Sequence, residues 1–440
     1  MFQEFAGRWE ALSATAQDVI VLCLILAPAV LVGLAVTFGY RPLPLVGAML
    51  WRFRWTNLMF VLLIGTSVGV GVGLLAQERG LRQGTARAAD KFDLVLTAPG
   101  SEVTMMLAAV YLQPTDAPLL DGKLFNEIAD DERVSIAAPL AFGDSFAGAP
   151  IVGTSPQFVA HLAGAFSQGR AFAGQYEAVA GANAPVSLGD QIVPAHGFGE
   201  AAEEDAHEGT TYTVVGTMNP TGSPWDRAIL VPAEAVWAVH GLGTGHGPGW
   251  DGAVGPPYSE LFFPGTPAIL VRAEELWANY ALRSEFTRDD VMAFFPGAVL
   301  AQLHGLLGDV REAMSAIAVI TQILVTAGVL TGLVVLSRLY AQRLALLRAL
   351  GAPLRFTFAV VWSYAAALIL GGAVLGIAVG YAAAAVLSRV LTARTDILVT
   401  ASLGWPEAHL VAGFISLTII LALIPALSAL SRNVVRDLRS

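Results

Sequence analysis

Residues 337–356 read SRLYAQRLALLRALGAPLRF. The stretch lies between two long apolar runs and carries Arg338, Arg343, Arg348 and Arg355 with no acidic residue. Short loops this basic stay on the cytoplasmic side of a membrane, so this one orients every other segment. Within it, Leu344, Leu347 and Leu350 recur at helical spacing, and Gly351 followed by Pro353 is a stop signal. A short cytoplasmic helix between two spans has the size to dock on a soluble partner. The plainer alternative is a surface helix that only anchors the loop.

Working outward, the 440 residues are 55% hydrophobic, too apolar for a soluble globular domain. The net charge of −10 is unevenly spread. Residues 77–312 hold 29 Asp/Glu against 12 Lys/Arg, and the remainder holds 6 against 13. An acidic polar domain on one side and basic loops on the other follow the positive-inside rule. The large polar domain has the wrong sign for nucleic acid. Cys23 is the single cysteine, so no intrachain disulfide forms. Neither Lys91 nor Lys123 follows a Gly-x-x-x-x-Gly frame, which leaves the chain without a P-loop. Any ATP used must therefore be bound by another chain.

Five apolar runs are expected to cross the membrane, at 18–38, 57–76, 314–336, 357–386 and 410–430, each long enough for a hydrocarbon core of ~30 Å. Glu4, Arg8, Glu10 and Asp18 make the N-terminal flank unlike a signal peptide, so the first run reads as an uncleaved span. Alternation then places the N-terminus outside and the C-terminus in the cytoplasm. Arg41, Arg52 and Arg54 with Trp51 and Trp55 predict an interfacial helix within 40–56. Gly65, Gly69 and Gly73, and again Gly372, Gly376 and Gly380, put small residues along one helix face, where another helix can approach closely. After Asp18 no ionisable residue sits well inside any of the five runs, which argues against an ion-coupled carrier.

The polar insert alternates strand and helix patterns and reads as an α+β domain. Strands are expected at 92–97, 134–139, 151–154, 212–216, 228–231 and 268–271, and helices at 121–130 and 233–240. Segments 200–210, acid-rich, and 241–257, Gly-rich, read as loops. His196, His207, His240 and His246 fall in or near them, with Glu203, Glu204, Asp205 and Glu208 around His207. Imidazole and carboxylate together suit zinc or a similar ion, with His196, His207, Glu208, His240 and His246 as the candidate ligands. A solvated acidic loop is the plainer alternative. His161, His304 and His409 are scattered and read as structural. No HExxH, CxxC or Gly-x-Ser-x-Gly pattern is present, so no catalytic residue is assigned and the chain is not expected to be an enzyme.

The fold class is therefore an α-helical integral membrane protein of five spans with a large inserted α+β extracytoplasmic domain. Residues 1–76 form two spans with the interfacial helix, 77–312 the inserted domain, and 313–440 three spans with the loop at 337–356.

This order of parts resembles the FtsX/MacB-like permeases of ABC transporters. Leu344–Pro353, LALLRALGAP, is similar to the family's cytoplasmic motif, although Arg343 stands where the family usually has an acidic residue. The strand at 92–98 followed by Gly100 and Ser101, the Ser187-Leu188-Gly189-Asp190 turn with the strand at 212–216, and the loop 220–227 resemble further family features. The resemblance covers about residues 45–435, with the first span extra to a four-span plan. It implies a MacB-like periplasmic core domain and a homodimer in the bacterial inner membrane, surrounded by lipid and paired with a separate ABC ATPase. A periplasmic binding or carrier protein is a further expected partner. Coupling to the ATPase would run through Arg343, Leu344, Leu347, Arg348, Leu350 and Gly351, for export or extraction of a substrate at the outer face. The alternatives are an FtsX-like regulator of an exported hydrolase, or a permease linked to zinc or haem handling. Apart from the zinc link, no cofactor is expected on this chain.

Overall fold

The computed structural model describes residues 9–197, 209–306, 308–339 and 341–430. The chain divides into two units. The first comprises Met1–Gly80, Asp309–Ser388 and Thr400–Ser440; the second comprises Leu81–Gly308 and Arg389–Val399.

In the first unit, composition forces helices, because apolar runs of this length can satisfy their backbone polar groups in lipid only within the segment. Four helices among the described residues are long and apolar enough to cross a membrane: Ala14–Thr37, Arg54–Ala89, Leu354–Thr395 and Trp405–Leu427. The expected span at 314–336 falls in the helix Gly308–Leu339, whose apolar described stretch is Val319–Gly332. At 1.5 Å per residue the 36 residues of Arg54–Ala89 extend about 54 Å. The 42 residues of Leu354–Thr395 extend about 63 Å. Both exceed a ~30 Å hydrocarbon core, so the apolar runs at 57–76 and 357–386 are segments of longer rods. The basic, Trp-flanked stretch before them contains the helix Leu43–Arg52, and the Arg54 guanidinium lies 5.5 Å from the Trp51 ring centroid.

The glycines bring these two rods together. A Cβ on Gly69 would stand 3.2 Å from the Gly376 carbonyl oxygen, and one on Gly73 would stand 3.3 Å from that of Gly380. From the other side, a Cβ on Gly376 would meet Val68 Cβ at 2.6 Å, and one on Gly380 would meet the Gly69 oxygen at 2.6 Å. Gly65 faces Leu375, and Gly372 faces Ile64. Ile64, Val68, Val72 and Ala76 recur every fourth residue beside this line and are fully buried. Only residues without a side chain permit such an approach, and dispersion over the close contact holds the pair.

Polar groups tie the ends. Tyr364 donates its hydroxyl hydrogen to Asn57 Oδ1, while Asn57 Nδ2 donates to the Leu50 carbonyl at 2.9 Å. Trp362 Nε1 donates to the Ile419 carbonyl at 3.1 Å. Arg79 reaches Glu407 at 2.5 and 2.6 Å, with the carboxylate buried and also accepting the Gly404 amide at 2.9 Å.

Among the described residues, the second unit contains every strand: β1 Leu94–Thr97, β2 Val134–Pro139, β3 Ala141–Phe146, β4 Ala149–Thr154, β5 Phe166–Gly169, β6 Glu177–Ala180, β7 Gln191–Ile192, β8 Ala195–His196, β9 Tyr212–Met218, β10 Ile229–Pro232, β11 Ala268–Ala273 and β12 Met292–Phe294. The smaller sheet runs β12-β1-β11-β2, antiparallel throughout. The larger runs β5-β9-β6-β10-β4-β3-β8, with β7 beside β9. It is mixed, since β4–β10 and β6–β9 are parallel. All six expected strands and both expected helices overlap observed elements; β3, β5, β6, β7, β8 and β12 are additional.

Trp225 is buried between Phe92 and Phe158, and its Nε1 donates to the Val110 carbonyl at 3.1 Å. The next residue shapes the 220–227 loop. Asp226 accepts from the Thr221 and Gly222 amides at 2.7 and 2.8 Å and from the Thr221 hydroxyl at 2.7 Å. The Ser187–Asp190 turn docks on β9, with the Gly189 amide donating to the Val214 carbonyl at 2.8 Å.

Two outcomes test these contacts. Gly376→Leu forces an isobutyl group into Val68 and should destabilise the first unit by about 1–3 kcal/mol, whereas Gly413→Ala, with nothing within 4 Å of the new methyl, should change stability little. Thermal unfolding of both variants in detergent measures the contrast. In the second unit, Arg170 and then the Ala173 and Gly174 amides hold the Glu177 carboxyl down at about 2, against an ordinary 4.5. The folded value is the lower one, so the stabilisation is complete above the ordinary value and is lost as pH falls towards 2. Glu177→Gln should be less stable than the parent at pH 6, and the two unfolding midpoints should converge near pH 2.

Candidate functional site

Two clusters contain the residues that the sequence singles out for work rather than packing. The first is the loop helix, Ala341–Ala349. It ends as its sequence dictates: Gly351 adopts φ +98° and the Ala352 amide returns to the Leu347 carbonyl at 3.0 Å. Gly351 has the positive φ that a helix stop requires. The helix turns Ala345 inward, and Leu347 is half-buried against the core of the first unit. Leu346 and Leu350 are 55% and 79% exposed. They lie four residues apart and so share one face. Of the three leucines expected to couple, Leu350 is thus exposed and Leu347 is turned to the core, while the Leu344 side chain lies outside the described residues. Leu346 is the apolar neighbour that periodicity missed. Arg348 is half-buried, and the Arg343 side chain also lies outside the described residues.

The second cluster lies in the second unit and is built by a hairpin. Strands β3 and β4 are joined by Ala147 and Gly148, both at positive φ (49° and 75°), the requirement of a two-residue type I′ turn. That turn sets Phe146 opposite Ala149 and Asp144 opposite Ile151. On its other edge β3 pairs with β8, which places Asp144 directly across from His196. Cross-strand partners share a face, so imidazole and carboxylate meet. His240 arrives from the C-terminal cap of the helix Ala233–Val239. Its ring fits over Gly143, where any Cβ would stand 2.9 Å from His240 Nε2.

Asp144 is fully buried, and its Oδ1 lies 3.5 Å from both His196 Nδ1 and His240 Nε2. The His240 Nδ1 is 2.7 Å from the Val236 carbonyl oxygen. A carbonyl only accepts, so Nδ1 carries the hydrogen and Nε2 faces Asp144 with its lone pair when the ring is neutral. Burial pushes the nearby Tyr212 hydroxyl up in pKa, and the charge of Asp144 adds to the effect.

The five expected metal ligands therefore separate. His196 and His240 converge, joined by Asp144, which no local motif singles out. His246 belongs elsewhere: its Nε2 lies 3.3 Å from buried Glu234, which also accepts the Gly255 amide at 2.5 Å, and its ring stacks on Trp250. His207 and Glu208 lie outside the described residues. The remaining histidines make hydrogen-bond contacts: His161 with the Lys91 carbonyl, His304 with Thr85 and His409 with the Asp18 carbonyl.

No family model matches the chain, and no curated protein matches it. Among solved structures, the chain is similar to the periplasmic region of MacB from Actinobacillus actinomycetemcomitans, at 12% identity and a TM-score of 0.31. The overlap covers 50% of this chain and 95% of that one. An overlap at that score does not assign the chain to a family.

The geometry around Gly143 gives a direct expectation. Gly143→Ala places a methyl against the His240 ring at a φ of +154°. It should cost about 1–3 kcal/mol, while Gly100→Ala, which meets nothing within 4 Å, should be close to neutral. Thermal unfolding followed by tryptophan fluorescence compares the two.

Proposed function

We propose that this chain is the membrane subunit of an ABC-type system, taking its energy from an ATPase carried on a separate polypeptide. The observation that carries the reading is the loop helix Ala341–Ala349, which presents Leu346 and Leu350 to solvent between two apolar helices. An apolar pair exposed on a short basic helix needs a partner, and a chain without a P-loop needs a source of work. The resemblance of Leu344–Pro353 to the cytoplasmic motif of FtsX/MacB-like permeases supports the same assignment.

In this reading the loop lies in the cytoplasm of a bacterial cell and the second unit lies outside the inner membrane. The chain works as a homodimer. It carries no catalytic residue of its own; ATP hydrolysis belongs to the partner. The rods Arg54–Ala89 and Leu354–Thr395 extend beyond hydrocarbon thickness, which suits them to carry movement along their length. The output is export or extraction of a substrate at the outer face.

Energetics rank the docking residues. Burying a leucine contributes roughly 1.5–3 kcal/mol, and an exposed ion pair about 0–1 kcal/mol. The exposed leucines should therefore outweigh the loop arginines. Replacing Leu346 and Leu350 together by Asp should leave the protein inserted and folded, because both are exposed, yet abolish co-purification with the ATPase and its substrate-dependent stimulation. Leu347→Asp should instead lower the yield of folded protein. Full co-purification and stimulation in the Leu346/Leu350 variant would contradict the assignment.

A further inference from the structure

We propose that Asp144, His196 and His240 bind one divalent transition-metal ion of the zinc class. This rests on the geometry of the second unit and not on the transport reading. The three donor atoms lie within 4.8 Å of one another. Both imidazole nitrogens stand 3.5 Å from Asp144 Oδ1. That distance is longer than the usual N–H···O hydrogen bond of about 2.7–3.2 Å. It is close to the edge of a tetrahedron: with metal–nitrogen and metal–oxygen bonds of about 2.0–2.2 Å, neighbouring ligand atoms stand roughly 3.3–3.6 Å apart.

The surroundings favour the same ligand. Two imidazoles and one carboxylate select zinc and its neighbours over magnesium or calcium, which prefer all-oxygen sets. His240 is oriented as a ligand should be, its Nδ1–H held by the Val236 carbonyl so that Nε2 is the binding atom. The absent side chain at Gly143 gives that ring its place. His196 is 48% exposed and His240 24%, against none for Asp144, so an ion reaches the imidazoles from the solvent side, with the carboxylate buried beside them.

Binding would make a clasp on the sheet edge. The ligands come from three elements: β3, the two-residue edge strand β8, and the end of the helix Ala233–Val239. Strand β8 pairs through only two residues, Asp144–His196 and Ser145–Ala195. An ion shared by Asp144, His196 and His240 would hold that short strand and the helix end to β3.

The test uses the metal-stripped full-length protein in detergent, titrated with Zn2+ against a chromophoric chelator, with Co2+ as a spectroscopic probe. The expected result is one ion per chain and the visible absorption of tetrahedral Co2+. His196→Gln and Asp144→Asn should each weaken binding at least about tenfold, on the scale by which even outer-shell partners act. His196 is exposed, so its variant should keep the parent's fold, checked by near-ultraviolet circular dichroism. His246→Gln, on the separate Glu234 pair, should bind as the parent does. Absence of uptake by the parent, or unchanged affinity in folded His196→Gln, would overturn the proposal.

Discussion

Backbone-to-backbone contact between the helices Arg54–Ala89 and Leu354–Thr395 is the interaction on which the first unit depends. In lipid no hydrophobic force pushes helices together, so close packing and a few polar links must do it. Gly69, Gly73, Gly376 and Gly380 supply the closeness, and Ile64, Val68 and Val72 fill the flanks. Around this seam the other groups find fixed positions. Asn57 bridges Leu50 and Tyr364, and Trp362 ties its helix to Ile419. The Arg79–Glu407 pair is a costly element, because breaking one side of a buried pair leaves a charge uncompensated, typically at 3–5 kcal/mol. Its carboxylate is therefore held from two sides, by the guanidinium and by the Gly404 amide.

The second unit rests on a different constraint, that of register. A two-residue turn at Ala147 and Gly148 fixes β3 against β4, and a shift of one residue would send Asp144 to the other face of the sheet. The same register brings His196 opposite Asp144 and lets His240 close over Gly143. One short turn thus determines whether three distant residues converge.

Much of this was legible in the chain because it depends on local pattern. Glycines at four-residue spacing predicted a packing face, and the structure sets the two sets of glycines against each other. The Gly351–Pro353 stop predicted the end of the loop helix, which falls at Ala349. Strand β2 matches its expected 134–139 bounds. What could not be read depends on tertiary contact. Leu347 and Leu346 are equally apolar, and only packing decides that the first turns inward. Asp144 sits in AFGDSFAG with no local motif, and its partners lie 52 and 96 positions further along the chain. Hydropathy also stops short of the full rods, because it ends where polar residues begin and helical structure does not.

The most direct measurement is disulfide formation across the seam. A Cβ on Gly65 would stand 3.3 Å from Leu375 Cβ, close to the roughly 3.5–4.5 Å that a disulfide spans. In a Cys23→Ser background, Gly65→Cys with Leu375→Cys replaces the bulky side chain and leaves room for both sulfurs. Mild oxidation in native membranes should then give a rapid cross-link within one chain, seen as a mobility shift of the monomer that reductant reverses. No cross-link in correctly inserted protein, or a cross-link found only between two chains, would contradict the glycine seam and the arrangement built on it.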